Sequence, residues 1–391
     1  MLLMQKVQIR EDMQMNDKKE ILVVGAGRLG KGYIGEEFEK AGWQVTFLDK
    51  DPQVIENLEN GSYQVRIATP DKIYDDTLEN YQQILTSDVH EELPAFLSAD
   101  IVMVPVYPED LKEVFTYLTT DFKAMQEQFP DKKLDIVLLT NKIYLVNQMY
   151  AFLKEELDEA LYQWIEAHIF IRDAIIRRST DAKSNSALDI NSMAAASLLI
   201  ETPLHVSLED VDWMEPKENV PTLKEIKIYT LNGPHATTAF FGNYKGYLTI
   251  PDAETDDEIE ALVKTVIDEI YAACMKEFNL SYEDIADISQ IPTLKDEVPD
   301  TIRRVAYDPI RKLSNNDRLC GPIQLCEKHG LEHQGLDQAV AYGLKYDDKE
   351  DPKSVEMQVL IQQVGIFQAV KNITGLSDCC VKKIVNQYEK L

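Results

Sequence analysis

The first half of the chain alternates short apolar runs with segments whose apolar residues recur at helical spacing. Short, fully apolar runs are typical of strands buried on both faces of a parallel sheet. Strands are predicted at 21–24, 44–48, 63–67, 99–106, 134–140, 168–171 and 174–176, and helices at 31–41, 52–60, 109–118 and 146–160. Strands that alternate with helices pair in parallel through right-handed crossovers. This half therefore predicts an α/β fold with a doubly wound sheet.

The pattern becomes mostly helical after about residue 215, with helices predicted at 256–277, 281–288, 301–305, 322–329, 337–342 and 354–370. In the first of these, apolar residues recur every three or four positions, which marks a helix buried on one face. A turn-rich stretch at 213–221 separates the two patterns. We therefore predict an α/β domain at 19–218, a mostly α-helical domain at 219–391 and an N-terminal extension at 1–18.

The first predicted strand leads directly into a glycine-rich turn, Gly25-Ala26-Gly27-Arg28-Leu29-Gly30. Its G-x-G-x-x-G spacing is that of a Rossmann-type dinucleotide site. There the first glycine permits a tight turn, the second lets the backbone approach a pyrophosphate, and the third lets helix and strand pack closely. The free N–H groups and the dipole of the following helix favour bound phosphates. The alternative is a doubly wound domain whose first turn binds nothing.

Asp49 ends the second predicted strand, about 20 residues beyond the glycines. A carboxylate at this position accepts hydrogen bonds from the adenosine ribose hydroxyls. It also repels a 2′-phosphate, so the sequence favours NAD over NADP as the cofactor. Lys50, next to it, weakens this preference slightly. The cofactor-binding candidates are therefore the six residues of the glycine-rich turn and Asp49.

Composition excludes several classes of partner. The chain has 391 residues and a net charge of −28, so its field repels nucleic acid and anionic membrane surfaces. No apolar run approaches the ~20 residues of a membrane span. The five cysteines form no C-x-x-C pair, and their odd number favours reduced thiols in the cytoplasm. We expect a cytoplasmic monomer or small homo-oligomer in which an anionic substrate needs a local basic pocket.

Three polar side chains with different proton chemistry, Lys227, Asn232 and His235, lie within nine residues. On an ideal helix they fall within one broad face and could converge on a small ligand. Pro234 either kinks this helix or lies in the first turn of a new one, because it lacks an N–H. On composition alone, the favoured interpretation is a surface lysine, a turn asparagine and a hydrogen-bonded structural histidine.

Four stretches resemble the polyol-specific long-chain dehydrogenases, and they extend over most of the chain. Residues 25–35 are similar to the family's glycine loop, whose continuation R-G-F-I-G reads K-G-Y-I-G here, and 223–235 resembles its lysine signature, K-x4-N-x2-H. Residues 309–319 match P-x-R-K-L-S…D-R-L, and Asp351-Pro352 also fits. The length is similar to that of the shorter branch, whose substrates are phosphorylated. The chain is thus identified as a member of this family.

The resemblance implies a metal-independent interconversion of mannitol 1-phosphate and fructose 6-phosphate with NAD. Lys227 would be the general base, which requires its pKa to be lowered by desolvation or nearby positive charge. Asn232 and, from the other domain, Asn141 would donate hydrogen bonds to the developing alkoxide. His235 would orient the polyol or polyol-phosphate substrate.

Several positions depart from the family pattern and leave the substrate open. Thr140 replaces a common glutamate, Gly233-Pro234 replaces a Thr-Gly pair, and 172–178 carries additional arginines. Such cations suit a phosphate, although surface ion pairs explain them equally well. The phosphate-binding candidates are Arg178, Arg311, Lys312 and Arg318. The histidines lie in no zinc-binding motif, so no metal is predicted.

Two alternatives remain at the level of sequence. A dehydrogenase of the same family could act on another polyol, polyol phosphate or sugar acid. A protein that binds a dinucleotide as a sensor would keep the glycine-rich turn without turnover. Such a sensor has no need of a base and two amide donors, and this favours an enzyme.

Overall fold

The computed structural model describes residues 18–69, 72–87, 89–177, 179–181, 188–193, 197–289 and 300–391. The described residues up to Pro221 form one compact unit, and those from Thr222 onward form a second. The predicted extension at 1–18 lies outside these ranges except for its last residue.

The first unit contains twelve strands in its described residues. They are β1 (Glu20–Val24), β2 (Gln44–Asp49), β3 (Tyr63–Ala68), β4 (Ile73–Leu78), β5 (Tyr81–Leu85), β6 (Ile101–Val104), β7 (Leu134–Leu138), β8 (Ile169–Ile175), β9 (Ser179–Asp181), β10 (Asp189–Met193), β11 (Leu198–Glu201) and β12 (Met214–Lys217). Eight of these form one sheet in the order β12-β11-β8-β7-β6-β1-β2-β5. Its strands pair in parallel except where β11 runs antiparallel to β8. The order from β5 to β8 is that of a Rossmann sheet.

Both faces of this sheet are covered, which explains the fully apolar strands. Along β1, Ile21 and Val23 belong to one buried cluster, whereas Leu22 and Val24 belong to another. The helical segments of this unit are a π-helical turn (Gly30–Gly35), α1 (Glu36–Lys40), α2 (Pro52–Leu58), α3 (Leu93–Ser98), α4 (Leu111–Tyr117), α5 (Thr119–Gln128), α6 (Leu145–Glu156) and α7 (Glu159–His168). Cover on both faces is the arrangement of a doubly wound fold, and the predicted fold class is confirmed.

A second, smaller sheet has the order β4-β3-β10-β9 among the described strands. Its β3 pairs antiparallel with β4 and parallel with β10. Tyr63 of β3 donates a hydrogen bond from its hydroxyl to the Lys31 carbonyl oxygen, 3.1 Å away. This contact ties the small sheet to the turn that follows β1.

The second unit is helical through nearly all of its described residues. Its elements are α8 (Val220–Lys227), a π-helical turn (Ile228–Asn232), α9 (Gly233–Lys245), α10 (Ile250–Glu254), α11 (Asp257–Phe278), α12 (Tyr282–Ser289), α13 (Ile302–Ala306), α14 (Pro309–Lys312), α15 (Cys320–His329), α16 (Gln334–Lys345), α17 (Pro352–Val364), α18 (Ile366–Thr374) and α19 (Asp378–Tyr388). Helix α9 packs against α11, α13 and α16, with Ala236, Ala239 and Phe240 fully buried. This packing holds the start of α9 in place. In the described ranges, no helix is long and apolar enough to cross a membrane.

Several predicted elements have different bounds. The two strands predicted at 168–171 and 174–176 form the single strand β8, and the helix predicted at 146–160 is interrupted before Glu159. There Asp158 caps α7 by accepting the Leu161 N–H. The helix predicted at 354–370 is broken by Gly365, whose backbone has a positive φ of 79°. Each break follows from a local cap or backbone angle that helical periodicity does not reveal.

Candidate functional site

The glycine-rich turn lies where the sheet changes winding direction, between the carboxyl ends of β1 and β6. Gly25 has a φ of 115°, and a Cβ there would lie 2.8 Å from Val106 Cγ1. A Cβ on Gly30 would collide with the Gly25 carbonyl oxygen. Only glycine fits at positions 25 and 30, because a side chain at either position would force the strand and the helix apart.

The presence of glycine at position 27 has a different explanation. It is exposed, and a Cβ at this position would have no protein atom within 4 Å. Neither packing nor a positive φ therefore demands glycine. The helical backbone begins immediately afterwards, at Arg28. Close approach of a pyrophosphate to this backbone accounts for the residue, so the turn fits a dinucleotide.

Asp49 is joined to the turn by hydrogen bonds. Its Oδ2 accepts the Ala26 N–H at 2.7 Å, and its Oδ1 accepts the Asp51 N–H at 2.9 Å. Lys50 lies beside it, but its ammonium pairs with Asp110 and Glu113 at 3.1 and 2.7 Å. A 2′-phosphate at this strand end would be repelled by the Asp49 carboxylate. Lys50 would attract it little, because its charge is already paired with two carboxylates. The arrangement therefore favours NAD more strongly than the sequence alone.

Lys31 is a site candidate that the sequence analysis did not identify. It follows Gly30 in the π-helical turn, and only 4% of its surface is exposed. Burial lowers the pKa of its ammonium, while the charge of Asp49 raises it and that of Arg28 lowers it. Its position in the glycine loop was visible in the sequence, but its burial depends on the folded turn.

Asn141 lies just beyond β7, at the carboxyl edge of the sheet, where ligands of such folds bind. Its side chain is exposed. The preceding residue, Thr140, is buried, and its hydroxyl has no hydrogen-bond partner among the described residues. Asn141 belongs to the first unit, whereas Lys227, Asn232 and His235 belong to the second.

Lys227, Asn232 and His235 lie on one continuous helical segment. Lys227 ends α8, Asn232 ends the π-helical turn, and His235 lies in the first turn of α9. Pro234 is also in that first turn, and it lacks an N–H at the point where the π-helical turn gives way to α9. The sequence left open whether Pro234 kinks a helix or lies in the first turn of a new one. The structure has Pro234 in the first turn of α9, which a π-helical turn precedes. Such turns are frequent at functional sites.

The three side chains differ in environment. Lys227 is 8% exposed, whereas Asn232 and His235 are partly exposed. The His235 Nε2 lies 3.6 Å from Asp300 Oδ2. Partial burial lowers the pKa of His235; Asp300 raises it, and the cations Arg304, Arg318 and Lys312 lower it. Asp300 is a neighbour that sequence reasoning missed, since nothing local in the chain links it to His235.

Two of the four phosphate candidates lie close to this helix. Lys312 and Arg318 are 6% and 7% exposed, and both are near enough to affect His235. A Cβ on Gly233 would lie 2.8 Å from the Arg318 carbonyl oxygen, so that backbone packs directly beside Asn232. Arg311 is more exposed and pairs with Asp308 at 2.9 Å. Arg178 lies outside the described residues.

Two cations, Arg318 and Arg311, and two carboxylates, Asp308 and Asp317, lie near Lys312. Its ammonium donates to the Tyr307 carbonyl oxygen. Burial, followed by the charges of Arg318 and Arg311, lowers the pKa of Lys312 to about 7. Arg318 itself pairs with Asp317 at 2.7 Å. An anion bound here would relieve the repulsion between these cations.

The fold and the glycine-rich turn define a dinucleotide-binding protein of the Rossmann class. Two family models specify it further: the mannitol dehydrogenase Rossmann domain matches residues 19–217, and the mannitol dehydrogenase C-terminal domain matches residues 219–391. The chain therefore belongs to the mannitol dehydrogenase family. The predicted family and the prediction of a polyol dehydrogenase are confirmed.

Individual relatives agree with this family. The chain is 28% identical over 377 residues to mannitol-1-phosphate 5-dehydrogenase of Caldanaerobacter subterraneus subsp. tengcongensis, covering 94% of this chain and 96% of that protein. It is also 28% identical to the protein of the same name from Thermoanaerobacter pseudethanolicus, with the same coverage of both chains. Among solved structures, mannitol 2-dehydrogenase of Pseudomonas fluorescens, in a ternary complex with NAD and D-mannitol, has a TM-score of 0.70 at 15% identity. That alignment covers 97% of this chain and 92% of the other, and shows a shared fold.

Proposed function

We propose that this chain is an NAD-dependent dehydrogenase that interconverts mannitol 1-phosphate and fructose 6-phosphate, with Lys227 as its general base. The observation that carries the proposal is the helical segment from Lys227 to His235. It combines a buried amine, an amide and an imidazole with the cations Lys312 and Arg318 beside them. A binding protein without turnover has no use for this combination.

The phosphorylated substrate is supported by two independent observations. The relatives that are 28% identical over nearly their whole length are named as mannitol-1-phosphate 5-dehydrogenases. The second unit also places Lys312 and Arg318 near His235 and Arg311 near Lys312, although Asp308 and Asp317 pair with the two arginines and the whole chain carries a charge of −28. Such a local basic cluster is what a phosphate needs in an otherwise repulsive field.

Each residue has a defined task in the oxidation of the alcohol. The glycine-rich turn and Asp49 would hold NAD, which would supply the acceptor for the hydride that leaves the carbinol carbon. Lys227, whose side chain is buried, removes the hydroxyl proton. Asn232 and Asn141 donate hydrogen bonds to the oxygen as negative charge develops. His235 accepts or donates a hydrogen bond at a neighbouring hydroxyl and so orients the sugar.

A substrate comparison tests the proposal. Oxidation of NADH is followed with fructose 6-phosphate, fructose and a panel of other ketoses, sugar phosphates and sugar acids, and then repeated with NADPH. We expect turnover with fructose 6-phosphate and NADH, and much weaker turnover with fructose. Equal rates with both sugars would contradict the role of the phosphate while leaving the dehydrogenase assignment intact.

Replacement of the base tests the mechanism. We expect Lys227→Ala to lower kcat by at least about 100-fold, since general base catalysis contributes that much or more. Binding of NADH, measured by fluorescence titration, should stay unchanged. The matched control is Lys276→Ala, which removes an exposed lysine of α11 in the same unit. Near-normal turnover in Lys227→Ala would exclude this residue as the base.

A further inference from the structure

A cluster in the first unit combines an imidazole with two buried carboxylates. His90 Nδ1 lies 2.8 Å from Glu92 Oε1 and 3.5 Å from Asp121 Oδ1. One ligand atom from each residue lies within 4.8 Å of the other two. His90 and Glu92 follow β5 in the chain, whereas Asp121 belongs to α5. Residues distant in sequence therefore meet at one point.

Within the described ranges, His90 is the basic side chain that pairs with the two carboxylates. The side chains of Glu92 and Asp121 are fully buried, and Asp121 has no hydrogen-bond partner within the described ranges other than the neighbouring Glu92 carboxyl group. No lysine or arginine in that part of the chain pairs with either carboxylate. Two buried carboxylates side by side are strongly unfavourable unless a proton or a cation neutralises them.

We propose that His90, Glu92 and Asp121 bind one divalent transition-metal ion, with Zn²⁺ as the representative ion. One imidazole nitrogen and two carboxylate oxygens form a ligand set that suits such ions. The three ligand atoms lie within 4.8 Å of one another, close enough for a single ion to contact all three. The His90 side chain is 16% exposed and provides a route of entry.

The surroundings provide the outer support that metal sites usually have. The Tyr117 hydroxyl donates to Glu92 Oε2 at 2.7 Å, which leaves Oε1 directed at His90. The Tyr117 ring also stacks on His90, with centroids 4.6 Å apart. These contacts orient two of the three ligands before an ion arrives.

The ion has a structural role in this proposal. The Thr86 N–H donates to the Asp49 carbonyl oxygen at 2.9 Å, so the segment leaving β5 adjoins the strand end that carries Asp49. An ion held by His90, Glu92 and Asp121 would link this segment to α5. It would stabilise the first unit and take no part in the reaction.

A second three-residue cluster serves as the comparison. Glu327, His333 and Cys380 are similarly close together. There, however, Lys383 lies 3.0 Å from both Glu327 and His333, and Asp337 lies 3.0 Å from His333 Nδ1. This network is neutralised by its own lysine. The two clusters thus differ in whether the chain supplies the positive charge.

The test is zinc binding by the full chain. The protein is stripped with EDTA, incubated with ZnCl₂ and desalted, and the retained zinc is measured by mass spectrometry alongside thermal unfolding. We expect about one zinc per chain and a higher Tm with zinc. His90→Ala and Asp121→Asn should lose this zinc, whereas Glu327→Gln should retain it. His90 is partly exposed, so its substitution keeps the test valid if Asp121→Asn fails to fold.

Two results would overturn the proposal. One is retention of equal zinc by the native chain and by His90→Ala, which would place the ion elsewhere. The other is no zinc retained and no change in Tm for the native chain. An increased Tm of zinc-free Asp121→Asn would then show that the carboxylates share a proton instead.

Discussion

Lys312 is a buried cation whose nearest charges include two further cations. Its pKa of about 7 results first from burial and then from Arg318 and Arg311. Folding lowers the pKa of this amine. The resulting loss of stability is fully present below about pH 7, where the ammonium is charged in both the folded and the unfolded state. The folded state regains stability as the pH rises from about 7 towards 10.5, the ordinary value. An anion that binds beside Lys312 reverses this penalty.

We predict that affinity for fructose 6-phosphate falls as Lys312 loses its proton. Between pH 7 and 9, the Kd should rise by up to about tenfold per pH unit, the limit for one proton. The measurement is calorimetric titration in the Lys227→Ala background, which removes turnover. Lys312→Arg keeps its charge throughout and should give a much flatter profile. An unchanged slope in Lys312→Arg would assign the pH dependence to another group.

Gly27 offers a test of the cofactor site that is separate from folding. A Cβ there meets no protein atom, whereas one on Gly25 or Gly30 collides with the backbone or Val106. We expect Gly27→Ala to unfold at the native urea midpoint but to bind NADH about tenfold more weakly or worse, since a methyl group keeps the pyrophosphate away. Gly30→Ala, as the control, should lose stability. Unchanged NADH affinity in Gly27→Ala would contradict the placement of the pyrophosphate.

At the scale of elements, one contact holds the π-helical turn in position. A Cβ on Gly321 of α15 would collide with the hydroxyl oxygen and ring atoms of Tyr229, so the two elements touch there without space for a methyl group. Tyr229 precedes Asn232 in the turn, and its hydroxyl donates to Glu225 at 2.8 Å. A shift of Tyr229 would therefore move the amide and imidazole of the proposed site.

We predict that Gly321→Ala destabilises the protein by about 1–3 kcal/mol, the usual cost of overpacking. We also expect kcat to fall while NADH affinity stays near the native value, because the cofactor turn belongs to the first unit. Urea denaturation and steady-state kinetics measure both effects. Tyr229→Leu creates space beside residue 321. The double variant should therefore be destabilised by less than the sum of the two single substitutions. Strict additivity would mean that this contact does not position the turn.

At the scale of the molecule, the charge of −28 opposes the approach of an anionic sugar phosphate. The basic cluster near His235 acts over a short range, whereas the overall field extends about 30 Å at 0.01 M salt. We predict that kcat/KM for fructose 6-phosphate increases a few-fold between about 0.01 and 0.15 M KCl, because salt screens the repulsion. A decrease over this range would mean that the local cations dominate the encounter.

The sequence by itself determined the features that depend on neighbours along the chain. Gly25, Gly27 and Gly30 follow a strand and begin a helix, so their spacing alone indicated the turn. Lys227, Asn232 and His235 are close in sequence and lie on one continuous helical segment, although the π-helical turn within it was not predicted. The alternation of elements likewise predicted the fold class and the parallel sheet.

Only the tertiary structure decided the features that join distant segments. Strands β4 and β5 were not predicted, because their mixed exposure gives no clear apolar period and their partners lie elsewhere. The pairing of Asp300 with His235, the burial of Lys312 and the meeting of His90 with Asp121 likewise depend on how the elements pack. Periodicity records which face of an element is buried, but not which residue of another element meets it.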